Sequence, residues 1–111
     1  MIGLLPLMLL AAPAPNPASL AGVYDGGQME IAAALELTKD GKFRYALSYG
    51  ALDEMASGRW TAENGTVVLS VEQYQSNDPY AEESFGPSVL KIEDGDLTIP
   101  RHDRLLRFRK R

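Results

Sequence analysis

Two runs of alternating apolar and polar residues, joined by a tight-turn signal, dominate the middle of the chain. Ile31, Ala33, Leu35 and Leu37 interleave with Ala32, Ala34, Glu36 and Thr38, and Phe43, Tyr45, Leu47 and Tyr49 interleave with Lys42, Arg44, Ala46 and Ser48. A period of two sends each apolar set to one face of a sheet, so the stretch from Ile31 to Trp60 predicts a long β-hairpin. Between the runs lies Lys39-Asp40-Gly41-Lys42, where Gly41 and, less readily, Asp40 can take the positive φ of a two-residue hairpin turn.

The same pattern extends in both directions. Leu20 to Tyr24 reads as a short apolar strand, and Asp25-Gly26-Gly27 allows a bulge or turn before the long strand that starts near Met29. After a loop from Gly50 to Glu54, a strand from Met55 to Ala62 places Ala56, Gly58, Trp60 and Ala62 on one face, with Ala56 and Gly58 leaving room for a large neighbour. Asn64-Gly65 is a second tight turn, followed by Val67, Leu69 and Val71 facing inward. The rhythm then breaks over Gln73 to Ser84, a polar stretch long enough to predict a functional lid or an excursion. Phe85 to Glu93 resumes it, Asp94-Gly95 turns the chain, Leu97 and Ile99 form a short strand ended by Pro100, and Leu106 and Phe108 form a last one. About eight strands, three Asn-Gly or Asp-Gly turns and no helical period predict an all-β fold. An antiparallel up-and-down meander best escapes exposed sheet edges by curling into a small barrel; an open β-sandwich is the alternative.

Composition adds compartment and partner class. With 111 residues, 45% of them hydrophobic, the chain is sized for one domain. Ile2 to Ala12 is an apolar run, followed by an Ala/Pro linker up to Ser19. The order resembles a secretory signal and its junction, and the run is short of the ~20 apolar residues of a membrane-spanning helix. Residues 1–19 are therefore expected to be a signal-like segment and linker, residues 20–111 a single β domain, and the protein periplasmic or secreted. Two details depart from the usual signal: no Lys or Arg precedes the run, and cleavage after Ala12-Pro13-Ala14 would fall before Pro15. The net charge of −4 hides an asymmetry, because residues 101–111 carry 6 basic side chains and 1 acidic one. An acidic body repels phosphate backbones, so nucleic acid is not an expected partner.

Candidate chemistry is sparse. The chain has no cysteine, which removes disulfides, thiolate metal sites and a cysteine nucleophile. His102 neighbours Asp103, but adjacent residues on a strand point to opposite faces and no serine sits in a nucleophile elbow, so this pair reads as a solvated turn. Asp53-Glu54, Glu82-Glu83 and Asp94-x-Asp96 lack calcium-loop spacing and read as solvated loop charges. No metal, cofactor or enzymatic activity is expected. Arg107, Arg109 and Arg111 share one face of the last strand, where they offer weak contact to an anionic membrane surface or else neutralise Glu30 and Glu36 on a neighbouring strand. Tyr24, Tyr45, Tyr49 and Trp60 would either line a small apolar cavity or fill the interior.

The order Gly22-x-Tyr24, Leu35-x-Leu37-x-x-Asp40-Gly41-x-Phe43 and Gly58-x-Trp60 with Val67-x-Leu69 resembles the lipocalin-like small barrels of bacterial envelopes. More narrowly, Tyr24 to Glu30 and Leu47 to Glu54 resemble short exported bacterial proteins of unassigned function. A distant similarity to the N-terminal domain of copper-homeostasis envelope lipoproteins rests on the Asp40-Gly41 hairpin and Gly58-Arg59-Trp60, without that family's cysteines. The resemblance implies a β-barrel, and with no catalytic constellation in the chain the expected function is a non-catalytic envelope module that binds a small apolar ligand or another envelope protein. The alternative is a structural or stress-related periplasmic domain with a filled core. A binding site is expected at the barrel end bounded by Tyr49 to Glu54 and Gln73 to Ser84, with Tyr45, Tyr49, Trp60, Tyr74 and Tyr80 supplying ring faces and phenolic tips. Acidic Asp53, Glu54, Glu82 and Glu83 would there favour neutral or cationic ligands.

Overall fold

Eight strands run in chain order around a closed antiparallel barrel, each paired with its sequence neighbour and the last with the first. They are β1 (Gly22–Asp25), β2 (Ile31–Leu37), β3 (Lys42–Tyr49), β4 (Leu52–Glu63), β5 (Thr66–Ser76), β6 (Ser88–Glu93), β7 (Asp96–Arg101) and β8 (Arg104–Lys110). The computed structural model describes residues 17–79 and 88–111. The apolar segment Ile2 to Ala12, most of the Ala/Pro linker, and Tyr80, Glu82, Glu83 and Phe85 lie outside the described residues. Closure comes from the pairs Tyr24↔Lys110 and Asp25↔Arg109, which removes the open edges that invite pairing with other chains.

The period of two built the core as expected. Tyr24, Leu35, Leu37, Phe43, Trp60, Val67, Leu90, Leu97, Leu106 and Phe108 are each at most 1% exposed, and burying an aliphatic or aromatic side chain of this kind is worth roughly 1.5–3 kcal/mol. Tyr45 and Phe108 meet edge-on in the interior, at 6.4 Å and 64°.

Several turns and boundaries differ from the sequence expectation. At Asp40-Gly41 only the glycine takes a positive φ, of 89°. The Thr38 N–H donates to Lys42 O at 2.8 Å and the Gly41 N–H to Thr38 O at 3.1 Å, the arrangement of a longer loop whose last residue is left-handed rather than a two-residue turn. The predicted loop from Gly50 to Glu54 is instead a two-residue turn, Gly50-Ala51, since Tyr49 pairs with Leu52; strand β4 thus takes in Asp53 and Glu54. Pro100 does not end β7, which continues to Arg101. The proline pairs with Leu105 of β8 and lies beyond Thr98, the last β7 residue paired with β6, where a missing N–H is tolerated.

The break read at Gln73 has a local cause. Between Ser57 and Gly58 the β4–β5 register shifts, Gly58 pairing with Val71 but Ser57 with Gln73. Glu72 is thus an extra residue, a β-bulge. Beyond it the parity of β5 inverts: Tyr74 pairs with inward-facing Ala56, and β5 runs on to Ser76. Gly58 makes space for a large side chain, though it is Phe43 rather than Trp60 or Tyr49, and also for this bulge: a Cβ there would lie 3.1 Å from the Phe43 ring, 2.0 Å from Ser70 O and 2.9 Å from Glu72 N.

The meander sorts its connections into two ends. The turns at Gly41, Asn64-Gly65 and Asp94-Gly95 share one end, and those at Gly50-Ala51 and His102-Asp103 share the other, where β5 also ends. The second end is called the mouth below.

Candidate functional site

Strand parity carries the side chain of Glu54 into the barrel at the mouth, on the same face as Ala56, Gly58 and Trp60. Its side chain is 0% exposed. Two phenols donate to it, Tyr45 Oη to Oε2 at 2.7 Å and Tyr74 Oη to Oε1 at 2.9 Å. Arg101, the last residue of β7, donates with two prongs, Nε to Oε2 at 3.0 Å and Nη2 to Oε1 at 2.9 Å. His102 Nε2 stands 3.2 Å from Oε1. Every carboxylate lone pair that could be orphaned is thereby occupied, the condition under which a buried charge is tolerated.

The electrostatics follow from two opposed effects. Burial is the largest single influence on Glu54 and opposes its charge, but the hydrogen bonds from Arg101, Tyr45 and Tyr74 and the charge of Arg101 together outweigh it. The carboxyl is held down at about 2. Tyr45 is pushed far above the ordinary phenol range, first by burial and then by its bond to the ionised Glu54; Tyr74 is raised for the same reasons. Both phenols therefore serve as donors and not as bases.

A second layer closes the rim. Arg104 Nη2 donates to Tyr49 Oη at 3.1 Å, its guanidinium carbon lies 5.4 Å from the Tyr49 ring centre, and Nη2 is 3.6 Å from Glu30 Oε1. Across β4, the Asp53 N–H donates to Asn77 Oδ1 at 2.9 Å and Asn77 Nδ2 to Ala51 O at 2.8 Å. The β7–β8 turn that carries Arg101, His102 and Arg104 holds His102 and Asp103 at φ of 53° and 60°, a left-handed pair without glycine.

The structure separates the residues expected to form one site. Tyr45 and Tyr74 meet at Glu54, and Tyr49 sits on the rim against Arg104. Trp60 belongs to the opposite end, four residues along β4 from Ala56 or roughly 13 Å; it is 1% exposed and its indole N–H donates to Thr38 O at 2.8 Å. Tyr24 turns its hydroxyl to Leu20 O at 2.7 Å. Tyr80 lies outside the described residues. Glu54 is a correction: it is neither a solvated loop charge nor an acidic lure for cations, because β4 starts at Leu52, three residues earlier than expected, and its charge is met by Arg101. His102 is likewise more than a solvated turn, its side chain being 29% exposed and set against Glu54. Glu30 pairs with Arg104, the first residue of the last strand, and Glu36 with Arg44, rather than with Arg107, Arg109 or Arg111; Arg107 pairs with Asp96 at 2.7 Å and Arg111 with Asp25 at 3.7 Å.

Two recesses lie on the outer surface of the sheet. One, of about 510 Å³, is floored by Ala34 and Ala46 and walled by Val23 and Met55, with the Glu36–Arg44 ion pair of 2.6 Å at one side. The other, of about 840 Å³, shares Ala34 and Ala46 and reaches Arg109, Lys110 and Arg111. Val23 and Met55 remain 39% and 57% exposed. Sequence reading passed over this face because alanines on the polar side of a strand carry no signal of their own. Among the described residues no group of acidic or histidine side chains is arranged to hold a metal, and no helix is long and apolar enough to cross a membrane. Comparison with known protein families, with curated proteins and with solved structures finds no match to this chain.

Proposed function

We propose that the protein is an exported, non-catalytic binding module of the cell envelope, a lipocalin-like barrel that recognises a small apolar ligand on its outer face. The observation that carries the reading is the contrast between the two surfaces. Inside, apolar side chains occupy the barrel and the mouth is tied shut by hydrogen bonds converging on Glu54. Outside, an apolar trough between Val23 and Met55 stays open. Ligand sites are concave and mostly apolar with a few polar groups at the edge, and the outer trough answers that description better than the mouth, whose phenols are already engaged. Export is supported by the apolar run Ile2 to Ala12 and the Ala/Pro linker.

Native mass spectrometry of protein taken from an envelope fraction tests both parts. The expected result is a shortened N-terminus near Leu20 and a small-molecule adduct that disappears in Ala46→Phe, a variant that fills the trough from an exposed position. Intact Met1 on cytoplasmic protein would refute export, and an adduct retained by Ala46→Phe would remove the outer face as the site.

A further inference from the structure

The register places one continuous row across the outer surface: Arg109 beside Asp25, Asp25 beside Ala34, Ala34 beside Ala46, and Ala46 beside Met55. Strands are spaced ~4.8 Å apart, so the row from Arg109 to Met55 runs about 19 Å along the barrel surface across four spacings. One end of this row is cationic, its middle is small and apolar, and its far end is a large exposed thioether side chain.

Resting on the binding role proposed above, we infer that the trough takes a single-chain anionic amphiphile, its acidic head at Arg109 and Arg111 and its alkyl tail crossing Ala34 and Ala46 to Met55. The two recesses share Ala34 and Ala46, so a tail passes from one to the other without leaving apolar contact. The head end is the surface where the basic C-terminal strand meets this face. Arg109 is exposed and, among the described residues, has no ion pair, whereas Lys110 is held by Ser19 O at 2.5 Å. Asp25 is the one anion in the row; its Oδ1 accepts the Gly27 N–H at 2.8 Å and its Oδ2 faces Arg111 at 3.7 Å. Farther along, the charge of Glu36 is met by Arg44 at 2.6 Å. The row therefore presents a net positive head site beside an apolar floor, a combination that discriminates by charge at one end and by chain at the other.

Titration calorimetry with laurate, below the concentration at which it forms micelles, tests the inference on the folded chain. Dodecyltrimethylammonium and dodecyl maltoside serve as cationic and neutral heads on the same alkyl chain. The expected order is laurate tightest and the cationic amphiphile weakest. Arg109→Glu should weaken laurate about tenfold while leaving the maltoside unchanged, and Ala46→Phe should weaken all three. A maltoside that binds as tightly as laurate would overturn the anionic head site while leaving the binding role standing. Laurate binding unaffected by both variants would overturn the placement of the site. Binding to anionic phospholipid vesicles with none to monomeric laurate would replace the single-chain ligand with a membrane surface.

Discussion

Glu54 and Arg101, 47 residues apart in the chain, meet as a two-pronged ion pair inside the mouth of the barrel, with side-chain exposures of 0% and 22%. The pair links β4 to β7, strands that are not neighbours in the sheet, so it spans the barrel rather than reinforcing a ladder. Removing one partner leaves the other charged and buried, which costs about 3–5 kcal/mol. Arg101→Met is expected to lose stability on that scale in urea unfolding. Glu54→Gln, which keeps an acceptor for the phenols, should lose less. Equal losses would mean that charge is not what the pair contributes.

Acid should unfold the protein through the same residue. The carboxyl sits at about 2 in the folded state against an ordinary 4.5, so the folded form holds Glu54 ionised where the unfolded chain would protonate it. The stabilisation is fully present above about pH 4.5 and is lost as pH falls toward 2, amounting to roughly 3 kcal/mol across that window. Urea midpoints between pH 7 and pH 2.5 should fall steeply in the wild type and less in Glu54→Gln. Parallel curves would rule out Glu54 as the acid-sensitive group.

Trp60 closes the other end, and its indole N–H is spent on Thr38 O. Trp60→Ala is expected to cost ~3–5 kcal/mol, while Trp60→Phe keeps much of the volume and loses the hydrogen bond, about 1 kcal/mol for the bond itself. As the single tryptophan of the chain, it should show blue-shifted, poorly quenched fluorescence in the native state. Water-like emission would contradict its burial.

How legible this architecture was depended on whether parity survived along a strand. The hairpin of β2 and β3 alternates without interruption from Ile31 to Tyr49, and all of its inward residues are buried or half-buried. Counting back by twos from Trp60 through Gly58 and Ala56 reaches Glu54, and counting on from Leu97 and Ile99 reaches Arg101; both fall on the interior face, but the first lay in an expected loop and the second beyond a strand expected to end at Pro100. Tyr74 was not readable. The bulge at Glu72 inverts the alternation, and a single extra residue has no sequence mark except the glycine opposite. The outer trough was hidden for a different reason: it is made by the absence of side-chain bulk at Ala34 and Ala46 on strands whose apolar signal lies on the other face.

That glycine offers a direct test of the bulge. Gly58 lacks room for a methyl group because backbone atoms of Ser70 and Glu72 occupy the space at 2.0 and 2.9 Å. Backbone cannot rotate away as a side chain would, so Gly58→Ala must shift β5 against β4. A loss of at least about 1–3 kcal/mol is expected. Deleting Glu72 along with the Gly58→Ala change would recover part of the loss if the bulge is its cause. It would also turn Tyr74 outward and release one donor from Glu54. Tyr74 should then titrate closer to an ordinary phenol in ultraviolet difference spectra, and an unchanged titration would argue against the parity inversion.

The β7–β8 turn separates backbone strain from side-chain contact at the mouth. Both His102 and Asp103 are left-handed, at φ of 53° and 60°, a conformation that the Asn64-Gly65 and Asp94-Gly95 turns reach with glycine at the second place. Asp103 carries out no hydrogen bond within the Glu54 network, so Asp103→Gly should relieve strain and gain a few tenths of a kcal/mol to about 1 kcal/mol in thermal unfolding at neutral pH. His102→Asn keeps a residue that tolerates the left-handed region but withdraws the imidazole standing 3.2 Å from Glu54, and should lose about 1 kcal/mol. Opposite signs at adjacent positions would show that the turn pays in backbone strain to hold His102 and the flanking Arg101 and Arg104 against the mouth. If His102→Asn stabilises as Asp103→Gly does, the histidine is a turn residue alone and its approach to Glu54 contributes nothing.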